Sequence, residues 1–418
     1  MEETVVFLGA GASKALGLPL TNEIVPMVLK GLRNRTLFDD DSAARERLNR
    51  CLLAVLPGLN EMIKDVSDEE LSRKPIPLIT DLLTSIDFLV RSTNAPIPKF
   101  GLEDLSRGRT LLERAMFELL VRIEQTAELR MKDMPDRVRR EWDTTVNLHL
   151  LPQRPPEFES ELQRIVDWIL GLASNKRVTL ISTNYDIEVE QEIYKRLGYH
   201  RVFSDVDFGT SVREPVNGKI YYRPTRTHIG VYKLHGSLNW LRCDLCDSIY
   251  VNPVGPIAYL HFLSSERSQD LWLEKNGATE CHCGNAPLRA VIVSPSFVRD
   301  VRDPILLEIW RNALDALRRA SQWIIVGYSL PPEDVAIRSM FLRAYSGRDS
   351  PQQRLDVVVV QNEGKESIKT RYGLLLPKHT YRTGGLSHFL KSERVRSNGR
   401  EDLDKNDRVP TSQEVARS

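Results

Sequence analysis

Four of the five cysteines fall in one stretch, as Cys243-x-x-Cys246 and Cys281-x-Cys283. Two close pairs of thiolates suit a tetrahedral zinc ion. Such a site is closed, so the metal would hold structure and perform no catalysis. A C-x-C pair is less usual than C-x-x-C, and His282 or His261 could replace one ligand. A second candidate is Val5-Val6-Phe7-Leu8-Gly9-Ala10-Gly11-Ala12-Ser13, where an apolar run meets two glycines spaced by one residue. This pattern predicts a buried strand, a tight turn and the start of a helix. Gly9 permits the turn, Gly11 lets a ligand approach the backbone, and amides at the helix start can face a phosphate. Gly-x-Gly after a strand is also an ordinary tight turn, so the rest of the chain must decide between the two.

Five further apolar runs end in small or polar residues. Val178 to Ser182 leads into Thr183-Asn184-Tyr185-Asp186, and Val231 to Leu234 into His235-Gly236-Ser237. Ala290 to Val293 leads into Ser294-Pro295-Ser296, Trp323 to Val326 into Gly327-Tyr328-Ser329-Leu330, and Val357 to Val360 into Gln361-Asn362. Helical patterns separate most of them. The expectation is an α/β fold with a doubly wound, mostly parallel six-stranded Rossmann-like sheet. Such sheets bind ligands beyond the carboxyl ends of their strands, where these residues fall. Polar loops account for Gly, Pro and Ser without any ligand. They account less well for a His-Gly and an Asn-x-Asp.

The elements around this frame are auxiliary. Residues 21–150 read as a large helical insertion, with helical spacing over Ser42–Leu56, Ile79–Val90 and Leu111–Ile123. Thr21 is the expected cap of a helix that Pro26 confines to an early turn. The proline-rich break Pro152–Pro156 precedes an amphipathic helix over Phe158–Ala173. The expected organisation is a nucleotide-binding domain of residues 1–20 and 151–391, a zinc module over 243–283, and a disordered tail over 392–418. Across 418 residues, 41% are apolar and 28% charged, with a net charge of +1. That balance describes an ordinary globular chain and supplies no global field for nucleic acid or a membrane surface. No stretch approaches a membrane span, and Glu2 and Glu3 stand where a secretory signal would be basic. The cysteine usage suits a reducing compartment, hence a cytoplasmic location.

These motifs together resemble the sirtuins. Gly9 to Ser13 with Gly17-Leu18-Pro19 resembles the first sirtuin signature. Thr183-Asn184-Tyr185-Asp186 is similar to the Gln-Asn-Ile-Asp element, and His235-Gly236 to the catalytic His-Gly pair that precedes a zinc-binding module. Gly327-Tyr328-Ser329-Leu330 is similar to the Gly-Thr-Ser-Leu turn, and Gln361-Asn362 to the Ile-Asn element. The order is that of sirtuins, over residues 5–363. The departures are specific. Leu20-Thr21-Asn22 stands where sirtuins carry Asp-Phe-Arg, Ser294-Pro295-Ser296-Phe297 stands near the expected Phe-Gly-Glu, and the helical insertion is long. The chain therefore resembles the bacterial sirtuin-like NAD hydrolases of anti-phage defence, which often work beside a HerA-like ATPase.

The resemblance implies NAD as substrate, a structural zinc, a homo-oligomer and release of nicotinamide and ADP-ribose. It implies that Asn184 positions a ribose hydroxyl or water, that Asp186 meets the carboxamide, and that His235 accepts a proton near neutral pH. Gly9, Ala10, Gly11, Ala12 and Ser13 would hold the pyrophosphate; Thr183, Gly327, Ser329 and Asn362 would line the rest of the dinucleotide. Two other classes follow from the same residues: a protein deacylase or ADP-ribosyltransferase, and a non-catalytic NAD or ADP-ribose sensor. Residues 392–418 hold few aliphatics and no aromatics, too little to offset the entropy of ordering. Their deletion is expected to leave the melting temperature and nicotinamide release unchanged. A marked fall in either would show that the segment docks.

Overall fold

A computed structural model describes residues 2–38, 41–64, 66–71, 73–91, 100–127, 156–215, 218–243, 245–253, 281–284, 288–292, 304–332, 334–347 and 355–393. The expected tail from 394 onward, the break over 152–155, His261 and Ser294–Phe297 lie outside these residues.

Twelve strands are described: β1 (Glu3–Leu8), β2 (Arg177–Ser182), β3 (Val206–Asp207), β4 (Val212–Arg213), β5 (Ile220–Tyr221) and β6 (Ile229–Lys233), then β7 (Gly236–Cys243), β8 (Ile249–Val251), β9 (Leu288–Ile292), β10 (Gln322–Val326), β11 (Asp356–Val360) and β12 (Thr380–Arg382). Seven form one sheet in the order β12-β11-β10-β1-β2-β6-β3, with every pairing parallel. All six residues of β1 and all five of β6 are buried. Successive side chains point to opposite faces, so both faces are covered, as the unbroken apolar runs require. The helix Pro156–Ala173 packs on β2, and the helix Pro304–Arg319 packs on β1 and β6.

The fold is therefore α/β with a parallel main sheet, but its strand inventory differs from the expected six. Of the run at Ala290–Val293, the described residues Ala290–Ile292 do not join the main sheet. They lie in β9, antiparallel to β7 in a second sheet of order β5-β4-β8-β7-β9. The cysteines lie beside this pairing: Cys243 ends β7, and its Sγ lies 3.6 Å from Cys283 Sγ. In compensation the main sheet gains β3 and β12, too short to show a period. The helix Thr21–Arg33 starts one residue earlier than a Thr21 cap requires. Leu20 holds the cap position, and Glu23 Oε2 accepts its amide at 2.7 Å. Pro26 sits inside this helix.

Residues between Ile24 and Leu120 build a second apolar core. The helices Ser42–Val55 and Ile79–Arg91 both pack on Leu102–Ala127. Cys51 is fully buried there, and burial pushes its thiol up to about 11, so it is a packing residue and not a nucleophile. Ile187 and Leu238, from the loop after β2 and from β7, complete this core.

β1 lies between β2 and β10, so the chain moves outward on one side, returns to the middle and moves outward on the other. That reversal is the switch point at which open parallel sheets bind ligands. Here the two loops interlock. Gly9 N–H donates to Val326 O at 3.0 Å, and Gly11 N–H to Gly327 O at 2.8 Å. A Cβ on Gly11 would lie 2.8 Å from Gly327 Cα, and one on Gly327 would lie 2.2 Å from Ala12 N. Gly327 also has φ +64. The glycines are thus required by each other's backbone, before any ligand is considered. Gly327→Ala is expected to destabilise the protein by more than about 2 kcal/mol, from left-handed strain plus steric overlap. Denaturant unfolding at parental stability would contradict this packing.

Candidate functional site

The strand register sets the site. Leu8 pairs with Ser182 and Val326, Val326 with Val360, and Ser182 with Lys233. The loops that follow therefore leave the sheet at one level, and every sequence-predicted residue outside the cysteine cluster lies within five residues of that line. Gly9, Ala12, Ser13, Asp186 and His235 are buried; Ala10, Gly11, Thr183, Asn184, Gly327 and Ser329 are half-buried, and Asn362 is exposed.

Asn184, Ser13 and Asp186 form a directed chain. Asn184 Nδ2 donates to Gly9 O at 3.0 Å and to Ser13 Oγ at 2.7 Å. Ser13 Oγ in turn donates to Asp186 Oδ2 at 2.6 Å. A carbonyl only accepts, so the amide nitrogen must face Gly9, which leaves Asn184 Oδ1 as an acceptor for a ligand. This differs in detail from the sequence expectation. Ser13 commits its proton to Asp186, and Gly11 its N–H to Gly327. Both donors are engaged within the protein. Their direct role is to join β1 to β2 and β10.

His235 leaves the end of β6, where the chain passes from the main sheet into the small one. Gly236 makes that passage with φ +78, and a Cβ there would lie 1.8 Å from Val291 O. His235 Nδ1 lies 3.1 Å from Thr183 O. Because that carbonyl can only accept, Nδ1 carries the hydrogen. The loop after β2 thus sets the tautomer suited to accepting a proton. The imidazole neighbours Tyr185 and Trp310, with ring centroids 6.3 and 6.2 Å away. Trp310 is anchored by its Nε1–H to Leu234 O at 2.8 Å. Tyr185 receives the edge of Phe117 from the helical core at 5.4 Å.

Sequence reasoning missed these aromatic neighbours, and also Lys233. Lys233 is 1% exposed at the end of β6, and its ammonium meets Asp186 O and Glu190 Oε1. Burial raises the pKa of Glu190, while Lys233 opposes that rise. A charged residue inside the run Val231-Tyr232-Lys233-Leu234 was the available signal. The aromatic contacts had none, because they join residues far apart in the chain. On the other side of the switch point, Tyr328 O accepts from Gln361 Nε2 at 2.5 Å and from Tyr372 OH at 2.6 Å. These bonds fix the turn that carries Gly327 and Ser329. Asn362 follows β11.

The cysteines form a separate centre in the small sheet. The sulfurs of Cys243, Cys246, Cys281 and Cys283 lie within 4.8 Å of one another, with Cys243–Cys283 at 3.6 Å and Cys246–Cys281 at 3.5 Å. Zinc at about 2.3 Å from each sulfur needs sulfur separations of about 3.8 Å, so the cluster is compatible with a tetrahedral site. Leu245 N–H points at Cys243 Sγ at 3.3 Å, a donor suited to a thiolate. His282 is turned instead toward Tyr250 OH, 3.1 Å from its Nδ1.

No family model matches the chain, and no curated protein matches it. Among solved structures it is similar to one described as the structural basis for the mechanism and regulation of Sir2 enzymes, at 14% identity and a TM-score of 0.35, covering 94% of each chain. It is also similar to Sir2Tm bound to a propionylated peptide, at 14% identity and 0.31, covering 95% of this chain and 92% of that one. A Sir2 complex with a p53 peptide and NAD+ has the same identity and coverage at 0.35. No helix among the described residues is long and apolar enough to cross a membrane. Elemental analysis of the purified protein is expected to find about one zinc per chain, as a four-ligand site requires. Cys243→Ser should lower both zinc content and melting temperature. Metal-free parent protein with an unchanged melting temperature would rule the site out.

Proposed function

We propose that the chain is an NAD glycohydrolase, which uses water to release nicotinamide and ADP-ribose. The observation that supports this reading is the convergence of Ser13, Asn184, Asp186 and His235 at adjacent strand ends beside the switch point. A dinucleotide laid across that edge brings a ribose against these groups.

The chemistry follows from the residues. The bond between ribose C1′ and the nicotinamide nitrogen breaks, and its electron pair stays on the nitrogen. Nicotinamide leaves neutral, so no acid is needed. The ribose becomes oxocarbenium-like, and the buried carboxylate of Asp186 favours that positive charge. Water bonds to C1′ and gives its proton to His235 Nε2, which passes it to solvent. Asn184 Oδ1 accepts from the water or from a ribose hydroxyl and so orients the attack. The pyrophosphate would lie against the glycine loop at Ala10, while Gly327, Ser329 and Asn362 would line the adenosine side.

Water is favoured over a peptide as acceptor because the sequence lacks the Asp-Phe-Arg and Phe-Gly-Glu stretches. The cellular setting comes from the sequence resemblance alone: a regulated, homo-oligomeric NAD-depleting effector of anti-phage defence with a HerA-like ATPase.

His235→Ala is expected to lower turnover by about 10²–10⁴-fold, the usual worth of a general base. Asn184→Ala should also lose turnover, and both variants should keep most of their NAD affinity, read by nicotinamide release and calorimetric binding. Acetylated peptides should neither be deacylated nor raise nicotinamide release. Folded His235→Ala and Asn184→Ala proteins that both cleave NAD at the parental rate would sink the proposal. Peptide-dependent turnover would move the protein to the acyl-transfer class.

A further inference from the structure

We infer that Lys233 is a positioning residue for the loop that carries Asn184 and Asp186, acting from the adjacent strand through a buried ion pair with Glu190. The kinetic part of this inference rests on the NAD-cleavage reading; the structural part does not.

A lysine is almost never fully buried without a partner. Lys233 is 1% exposed and Glu190 5% exposed, with Nζ 2.5 Å from Oε1. The same ammonium meets the main-chain carbonyl of Asp186. Three elements meet at this one nitrogen: β6, the loop after β2, and the first turns of the helix Glu188–Leu197. Ser182 is the register partner of Lys233, so the lysine starts level with the end of β2 and reaches forward along the loop. A buried carbonyl needs a donor, and Lys233 supplies one to Asp186 O.

The loop has a second constraint on its other side. Tyr185 and Ile187 pack with the helical core, while Asn184 and Asp186 bond to Ser13. Alternate residues thus face opposite ways, and the Asp186 carbonyl lies where a small rotation would turn both groups from Ser13. Lys233 resists that rotation. It also sets the local charge. Its ammonium is the partner that opposes the burial-driven rise of the Glu190 pKa.

Removing Lys233 alone would leave Glu190 unpaired, so the informative variant is Lys233→Met with Glu190→Gln. Hydrogen exchange on the full chain is expected to show faster exchange over residues 183–188, with β1 and β10 protected as in the parent. Nicotinamide release should show kcat reduced by about 10²-fold, as for a misplaced reacting group, with KM changed far less. Unchanged exchange over 183–188 would overturn the inference whatever the turnover. Equal loss of protection in β1 and β10 would also overturn it, since the pair would then serve only general stability. If the parent cleaves no NAD, the glycohydrolase reading fails, and exchange over 183–188 still decides the role of Lys233.

Discussion

The structure depends on how closely two backbone turns approach each other at the centre of the sheet. Gly11 N–H reaches Gly327 O at 2.8 Å only because neither residue carries a side chain. That contact joins the end of β1 to the end of β10, on the two sides of the switch point. Asn184 extends the junction to β2 through Gly9 O and Ser13 Oγ. Gly327 N–H extends it to β11 through Val360 O at 2.9 Å. Four strand ends are thereby locked at one level. The polar groups above them need little further ordering when a ligand arrives, which is what a preorganised site requires.

The loop after β2 is the point at which the separate parts of the molecule meet. Its alternation sends Asn184 and Asp186 toward Ser13 and sends Tyr185 and Ile187 into the helical core. Leu238 N–H donates to Tyr185 O at 3.1 Å, which adds the small sheet. Tyr185 thus has Phe117 of the helical core on one side and His235 nearby, with ring centroids 5.4 and 6.3 Å away. The small sheet is held in turn by Gly236 against Val291 and by the four cysteines. The cysteine centre includes Cys243, the last residue of the strand that begins immediately after His235.

Much of this was legible in the sequence. The unbroken apolar runs required a sheet covered on both faces, and the paired cysteines required a common centre. The residues just past the runs do leave the parallel sheet at one level. In the glycine loop, the Gly9 and Gly11 amides and the Ser13 hydroxyl bond within the protein. Gly-x-Gly has the same form whether a phosphate or another backbone approaches it, and only the fold reveals that the neighbour is Gly327.

The sequence by itself determined the fold class, the cysteine cluster and the sheet edge that carries the candidate residues, because strand burial and ligand spacing are local patterns. Tertiary structure alone decided that Ala290–Ile292 belong to a second sheet, since an apolar strand records that it is buried and not which neighbour it pairs with. It also decided that Ser13 bonds to Asp186, that Thr183 sets the His235 tautomer, and that Lys233 reaches the loop after β2. Each of these contacts joins residues about fifty or more positions apart, or neighbours brought together only by strand register. No local pattern encodes a distance between two side chains that only the packed sheet brings together.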